Sequence, residues 1–255
     1  MKQEITMGSL FSGSGGFELA GSIFGIRPIW ASEIEPFPIL VTTKNFPEMK
    51  HLGDINKLNG ADLEPVTIIA GGSPCQDMSI AGKREGLDGS RSNLFREQIR
   101  IIKEMRESDR AAGRTGKQIR PRYMVWENVP GAYSSNKGKD STDLILWEYI
   151  IRRLTPLECC RLQGFPDNWA EELGIPEPTQ EDINHWREVF RTQMEAMGES
   201  KKEKTDNQIC KWLKDPESDS AKYKMWGNGI ALPCAMFVME GIVMILSEED
   251  ADEQK

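Results

Sequence analysis

The sequence is poor in histidine, lacks paired cysteines and has no excess of positive charge. Each shortage excludes a class of protein. Two histidines in 255 residues argue against a His-rich metal centre. The five cysteines (Cys75, Cys159, Cys160, Cys210 and Cys234) form an odd set with no Cys-x-x-Cys pair, which excludes a disulfide scaffold or a zinc ribbon. With 32 basic and 40 acidic residues the net charge is −8, so the chain is not a histone-like binder that holds nucleic acid by bulk charge. An enzyme that meets nucleic acid through a local patch stays open. The longest apolar run, Ile230 to Leu246, is interrupted by Pro233, Glu240 and Gly241 and is too short to span a bilayer. No apolar signal region follows the N-terminal Met-Lys-Gln-Glu. The expectation is a cytoplasmic protein without a membrane partner.

What is present is an alternation of strand and helix. Met7 to Phe11, Arg27 to Ser32, Val66 to Ala70 and Tyr123 to Trp126 read as strands. Phe17 to Phe24 and Pro38 to Asn45 read as helices, and Leu94, Phe95, Ile99, Ile102 and Met105 give helical spacing over Leu94 to Glu107. Apolar strands separated by helices predict an α/β fold, an open, mostly parallel sheet with helices on both faces. Ser108 to Arg122 carries Arg110, Arg114, Lys117, Arg120 and Arg122 and reads as a flexible basic loop, either a solvated insertion or a contact for phosphates. Beyond position 140 the texture changes. Thr155, Pro156 and Glu158 form a helix start, and Thr179 to Asp182 a second one, followed by an apolar stripe from Ile183 to Met197 that suits lobe packing. Glu199 to Ser220 reads as a mobile connection, and the acidic tail from Ser247 as frayed. The expected organisation is a catalytic domain over 1–140, a small lobe and linker over 141–222, a C-terminal helix over 223–246 packing back on the catalytic domain, and a tail over 247–255.

Three strand ends carry groups suited to chemistry. The turn Phe11-Ser12-Gly13-Ser14-Gly15-Gly16 lets a ligand approach the main chain. Glu33 ends the second strand, where a carboxylate takes hydrogen bonds from ribose hydroxyls, and Asp54 follows as a candidate acceptor for an adenine amine. Pro74-Cys75-Gln76 follows the third strand within a Gly/Pro loop, with Ser79, Lys83 and Arg84 nearby to favour a nucleophilic thiolate. Glu127-Asn128 follows the fourth, where apolar surroundings raise a carboxyl pKa and suit it to general acid work.

Taken in order, these segments resemble the DNA cytosine-5 methyltransferase family. The resemblance rests on Phe11 to Gly16, Glu33, Gly53-Asp54-Ile55, Pro74 to Gln76 with Ser79 and Lys83, Glu127-Asn128-Val129, Leu154 to Pro166, and Gly227-Asn228-Gly229-Ile230. It implies a Rossmann-like fold with a small second lobe, S-adenosyl-L-methionine as cofactor and double-stranded DNA as substrate. It also implies a mechanism on a flipped-out cytosine. Cys75 attacks ring carbon 6, Glu127 protonates ring nitrogen 3, and Asn128 helps fix the base. Carbon 5 then takes the methyl group and Cys75 leaves by elimination. By the same resemblance Phe11, Gly13, Gly15, Gly16, Glu33, Ile34, Asp54, Ile55, Pro74, Leu94 and Asn228 line the cofactor pocket, while Gln76, Ser79 and Lys83 meet the substrate. Ile34 stands where the family often has an aromatic. The departure lies between Asn128 and Leu154. No Gln-x-Arg-x-Arg motif and no target-reading region follow Glu127-Asn128; Gln118-Ile119-Arg120-Pro121-Arg122 fits the spacing but lies before that strand, in the wrong place for the family order, so the alternative expectation is an impaired or split scaffold. Such a scaffold needs a partner chain for DNA recognition, and a cognate restriction enzyme is a second partner to expect.

Overall fold

The computed structural model describes residues 4–72, 93–127, 154–198 and 202–253. Its centre is a sheet of five strands: β1 (Thr6–Leu10), β2 (Arg27–Ser32), β3 (Lys50–His51), β4 (Ile68–Gly71) and β5 (Tyr123–Trp126). The order is β3-β2-β1-β4-β5 and every pairing is parallel. This is the expected open parallel sheet. Alternation along β4 shows how both faces are covered: Ile68 and Ala70 enter one apolar cluster and Ile69 the other. The first cluster takes in α1 (Gly16–Ile23), α2 (Pro36–Asn45) and the C-terminal helices; the second takes in α3 (Asn93–Ala111) through Ile101 and Met105.

β2 and β5 match the expected spans. β3 was too short to announce itself, with two residues that gain their pairing from β2. α3 outruns its expected end. Its buried stripe is Gln98, Ile101, Met105 and Asp109 rather than Leu94, Phe95, Ile99, Ile102 and Met105, so only Met105 belongs to both. The basic segment that follows is not a free insertion. Asp109 accepts from Arg114 Nη1 at 2.6 Å and from Arg120 N at 2.8 Å and Nε at 3.1 Å, and Arg122 pairs with Glu249.

The C-terminal third is helical: α4 (Pro156–Leu162), α5 (Gln180–Ala196), α6 (Asp206–Lys214), α7 (Asp219–Gly227) and α8 (Leu232–Glu253). Thr155 and Thr179 cap α4 and α5 through reciprocal bonds with Glu158 and Asp182, as their spacing predicts. Two expectations are corrected. The stretch read as a mobile connection holds α6, because Ile209 and Leu213 form a buried i, i+4 pair behind a Thr205/Gln208 capping box. The tail read as frayed continues α8 as far as Glu253, and Glu249 within it meets Arg122. α8 packs along α1. Among the described residues no single helix is long and apolar enough to cross a membrane.

Candidate active site

In a parallel sheet all carboxyl ends share one edge, and here the winding reverses between β1 and β4. A crevice forms outside the strand ends at such a reversal, the usual ligand position of open α/β sheets. Among the described residues, the turn from Phe11 to Gly16, Glu33, Asp54 and Glu127 stand at the carboxyl ends of the strands.

The β1 end turns into α1 through Gly13 (φ +55°) and Gly15 (φ +80°), a left-handed backbone that costs glycine least. Phe11 also has φ +58°, an uncommon value for a side-chain-bearing residue, and is held by its N–H donating to Ser32 O at 2.8 Å. Glu33, just past β2, grips the turn. Its Oε2 accepts from Gly13 N at 2.8 Å, and its Oε1 from Ile34 N at 2.8 Å and Glu35 N at 2.9 Å. Burial pushes the Glu33 carboxyl above its ordinary value, against those three amides. Asp54 caps a 3₁₀ turn (Ile55–Lys57) through one oxygen, accepting from Asn56 N at 2.9 Å and Asn56 Nδ2 at 2.8 Å. Its Oδ2 has no partner among the described residues. Ile34 is half-buried beside these groups, whereas Ile55 is buried in the second cluster with Leu10 and Trp30.

On the other side of the reversal, Glu127 N donates to Gly71 O at 3.1 Å, carrying the Glu127 side chain past the end of β5. A Cβ on Gly72 would lie 2.5 Å from Glu127 Oε2, so the carboxyl rests against the chain leaving β4. Half-burial raises its pKa. Leu94, at the start of α3, packs against the second cluster with Phe11. Asn228 ends α7 as its cap residue and is exposed. Its neighbour Ile230 closes on the turn: a Cβ on Gly16 would be 2.5 Å from Ile230 Cγ2. Pro74, Cys75, Gln76, Ser79, Lys83 and Asn128 lie outside the described residues.

Three groups at this edge escaped the sequence reading. Trp169 Nε1 donates to Ser14 O at 2.7 Å, tying the segment between α4 and α5 to the turn. Glu18, fully buried in the first turn of α1, accepts from Ser9 and Ser12 hydroxyls through Oε1, while its Oε2 and Ser14 Oγ are buried without partners. Gln98 is buried with both amide atoms unpartnered. The signal for Glu18 and Gln98 was available: each is a polar residue on the buried stripe of a helix.

Residues 5–148 match the model of the C-5 cytosine-specific DNA methylase family. The chain belongs to that family. Curated relatives include a DNA N-6-adenine-methyltransferase of Escherichia phage P1, 36% identical over 52% of this chain and 18% of the relative. Another is the Type II methyltransferase M.NgoBV of Neisseria gonorrhoeae, 33% identical over 69% of this chain and 39% of the relative. Among solved structures, a candidate DNA modification methyltransferase from an E. coli prophage is 28% identical, with a TM-score of 0.39 over 51% of this chain and 34% of that one. The chain spans less than half the length of these relatives.

Proposed function

We propose that this chain is the S-adenosylmethionine-binding and catalytic part of a DNA cytosine-5 methyltransferase. The observation that carries the reading is the placement of Glu127. Its carboxyl, with a raised pKa, stands against Gly72, three residues in sequence before Cys75 and on the same edge as Glu33 and the glycine turn.

The residues present fit the cofactor. Glu33 retains one acceptor site, on Oε2, for a ribose hydroxyl after accepting from three amides, and the open Oδ2 of Asp54 suits the adenine amine. Ile34 offers an apolar face to the ring, which is less dispersive than an aromatic. When bound, S-adenosylmethionine supplies an electrophilic methyl group for carbon 5 of cytosine. The protein's part is to make that carbon nucleophilic. Cys75, as thiolate, forms a bond to carbon 6, and Glu127 delivers its proton to ring nitrogen 3, so charge does not accumulate on the ring. Asn128 orients the base beside Glu127. Loss of the carbon 5 proton to a base, followed by return of the nitrogen 3 proton to Glu127, then lets Cys75 leave as thiolate by elimination, restoring the aromatic ring. Gln76, Ser79 and Lys83 supply polar contacts to the flipped nucleotide.

A second reading, a scaffold that binds cofactor and takes its DNA recognition from another chain, is supported by the fate of the basic segment. Arg114 and Arg120 are tied to Asp109, and Arg122 to Glu249, so they are not set out for phosphates. One experiment separates the two. Wild-type chain and Cys75→Ser are incubated with 5-fluorocytosine duplex DNA and cofactor, then resolved under denaturing conditions. A covalent adduct formed only by the wild type supports the enzyme. Adduct from both proteins removes Cys75 as nucleophile. Cofactor binding without adduct leaves the scaffold.

A further inference from the structure

Four residues of α3 face inward along one stripe: Gln98, Ile101, Met105 and Asp109, each 0–1% exposed. Two of them are polar, and they are treated in opposite ways. Asp109 is saturated by Arg114 and Arg120. Gln98 has neither Oε1 nor Nε2 in a hydrogen bond. A fully buried carboxamide left unpaired is unfavourable, and folded chains rarely keep one without a use. Its place in the sheet supplies the use. A Cβ on Gly71 would lie 2.4 Å from Gln98 Nε2 and 2.5 Å from Leu10 O, so the amide sits where β1 and β4 end, at the reversal of winding. Gln98 is also one turn beyond Leu94 on the same helix face.

We propose that Gln98 binds the amino-acid end of the cofactor, Oε1 accepting from its α-ammonium and Nε2 donating to its α-carboxylate. This rests on the S-adenosylmethionine reading above and extends it. Along the edge, adenosine-type groups stand at β2 and β3, namely Glu33, Ile34 and Asp54. The reacting groups stand at β4 and β5, where Glu127 meets Gly72. A nucleoside that carries an amino-acid tail must cross β1 between them, over Gln98. The distance from β3 to β4 is three strand spacings, about 14 Å, which suits such an elongated ligand. A carboxamide also has the right chemistry: it offers an acceptor and donors side by side, the complement of a zwitterion.

The test is calorimetric titration of the full chain, wild type against Gln98→Met and Gln98→Glu, with two ligands. S-adenosylhomocysteine carries the amino-acid end; 5′-deoxy-5′-methylthioadenosine shares the adenosine and thioether but lacks it. Gln98→Met is expected to lose at least ten-fold in affinity for the first and to keep its affinity for the second. Gln98→Glu, which faces the ligand carboxylate with a carboxylate, should lose more. The ligand-free Gln98→Met protein should melt at or above the wild-type temperature, since no bond is removed. Undiminished affinity of Gln98→Met for S-adenosylhomocysteine overturns the assignment while the cofactor reading stands. So does a lower ligand-free melting temperature or failure to fold, because the amide would then already have a partner in the protein. A wild type that binds neither ligand overturns both.

Discussion

Two carboxylates hold the glycine turn from opposite sides, and they differ in how well they are satisfied. Glu33 accepts three backbone amides. Glu18 accepts two hydroxyls on one oxygen and leaves the other buried and bare. Burial holds the Glu18 carboxyl above its ordinary value near 4.5, with the two serines acting in the other direction. The sign of the consequence is fixed by linkage. A carboxyl with a raised native pKa binds its proton more tightly in the folded than in the unfolded chain. Its contribution is therefore fully present below about pH 4.5 and is lost as pH rises through the raised value. Glu18→Gln removes the charge and keeps an acceptor for Ser9 and Ser12. It should melt above the wild type at pH 7.5, with the gap closing toward pH 4.5. Each kcal/mol corresponds to about 2–4 °C for a chain of this size. Melting curves of both proteins across that range are the check, and a variant that is less stable at pH 7.5 would mean that the charged form is well accommodated.

At the scale of elements, the α3-to-β5 connection is organised by one side chain. Asp109 takes hydrogen bonds from Arg114, from the Arg120 backbone and from the Arg120 guanidinium, and so fixes the segment that leads into β5 and Glu127. Asp109→Ala should cost about 1.5–3 kcal/mol, the range for hydrogen bonds to a charged group. It should leave affinity for S-adenosylhomocysteine within two-fold, because no cofactor-edge residue is touched. Denaturant unfolding and titration together check this; a large loss of affinity would place the connection in the site. The same segment shows what a sequence can and cannot disclose. Strand-forming residues and glycine turns are local signals, so β2, β5 and the Gly13–Gly16 turn were legible, as were the Thr155 and Thr179 caps. The pairing of Arg120 with Asp109 or of Arg122 with Glu249, 127 residues apart, is set by tertiary proximity and leaves no mark in local composition. α6 was missed for a related reason. Its charged composition suggests a solvated stretch, yet Ile209 and Leu213, one turn apart, suffice to anchor nine residues to the core. Of the candidate site residues, the strand-end positions of Glu33 and Glu127 were legible because they are local, whereas Gln98 and Glu18 needed the knowledge of which helix face is buried.

At the scale of the whole molecule, charge sets how much affinity for duplex DNA the proposed enzyme can draw from phosphates. The net charge is −8, and Arg114, Arg120 and Arg122, which precede the start of β5, are engaged internally. Affinity for duplex DNA rises from counterion release in proportion to the phosphates neutralised, with a slope in log K against log salt of about −0.9 per phosphate. Among the described residues the Ser108 to Arg122 segment leaves few cations for that purpose, so its share of nonspecific binding should be weak and only gently salt-dependent. A slope no steeper than about −3 between 50 and 200 mM salt is expected, the value for roughly three phosphate contacts. Fluorescence anisotropy of a labelled mixed-sequence duplex measures it. A gentle slope together with the Cys75-dependent adduct would mean that the flipped base is held mainly by the pocket and little by the backbone. A slope near −6 or steeper would require a basic surface elsewhere on the chain and would remove the argument for a separate recognition partner.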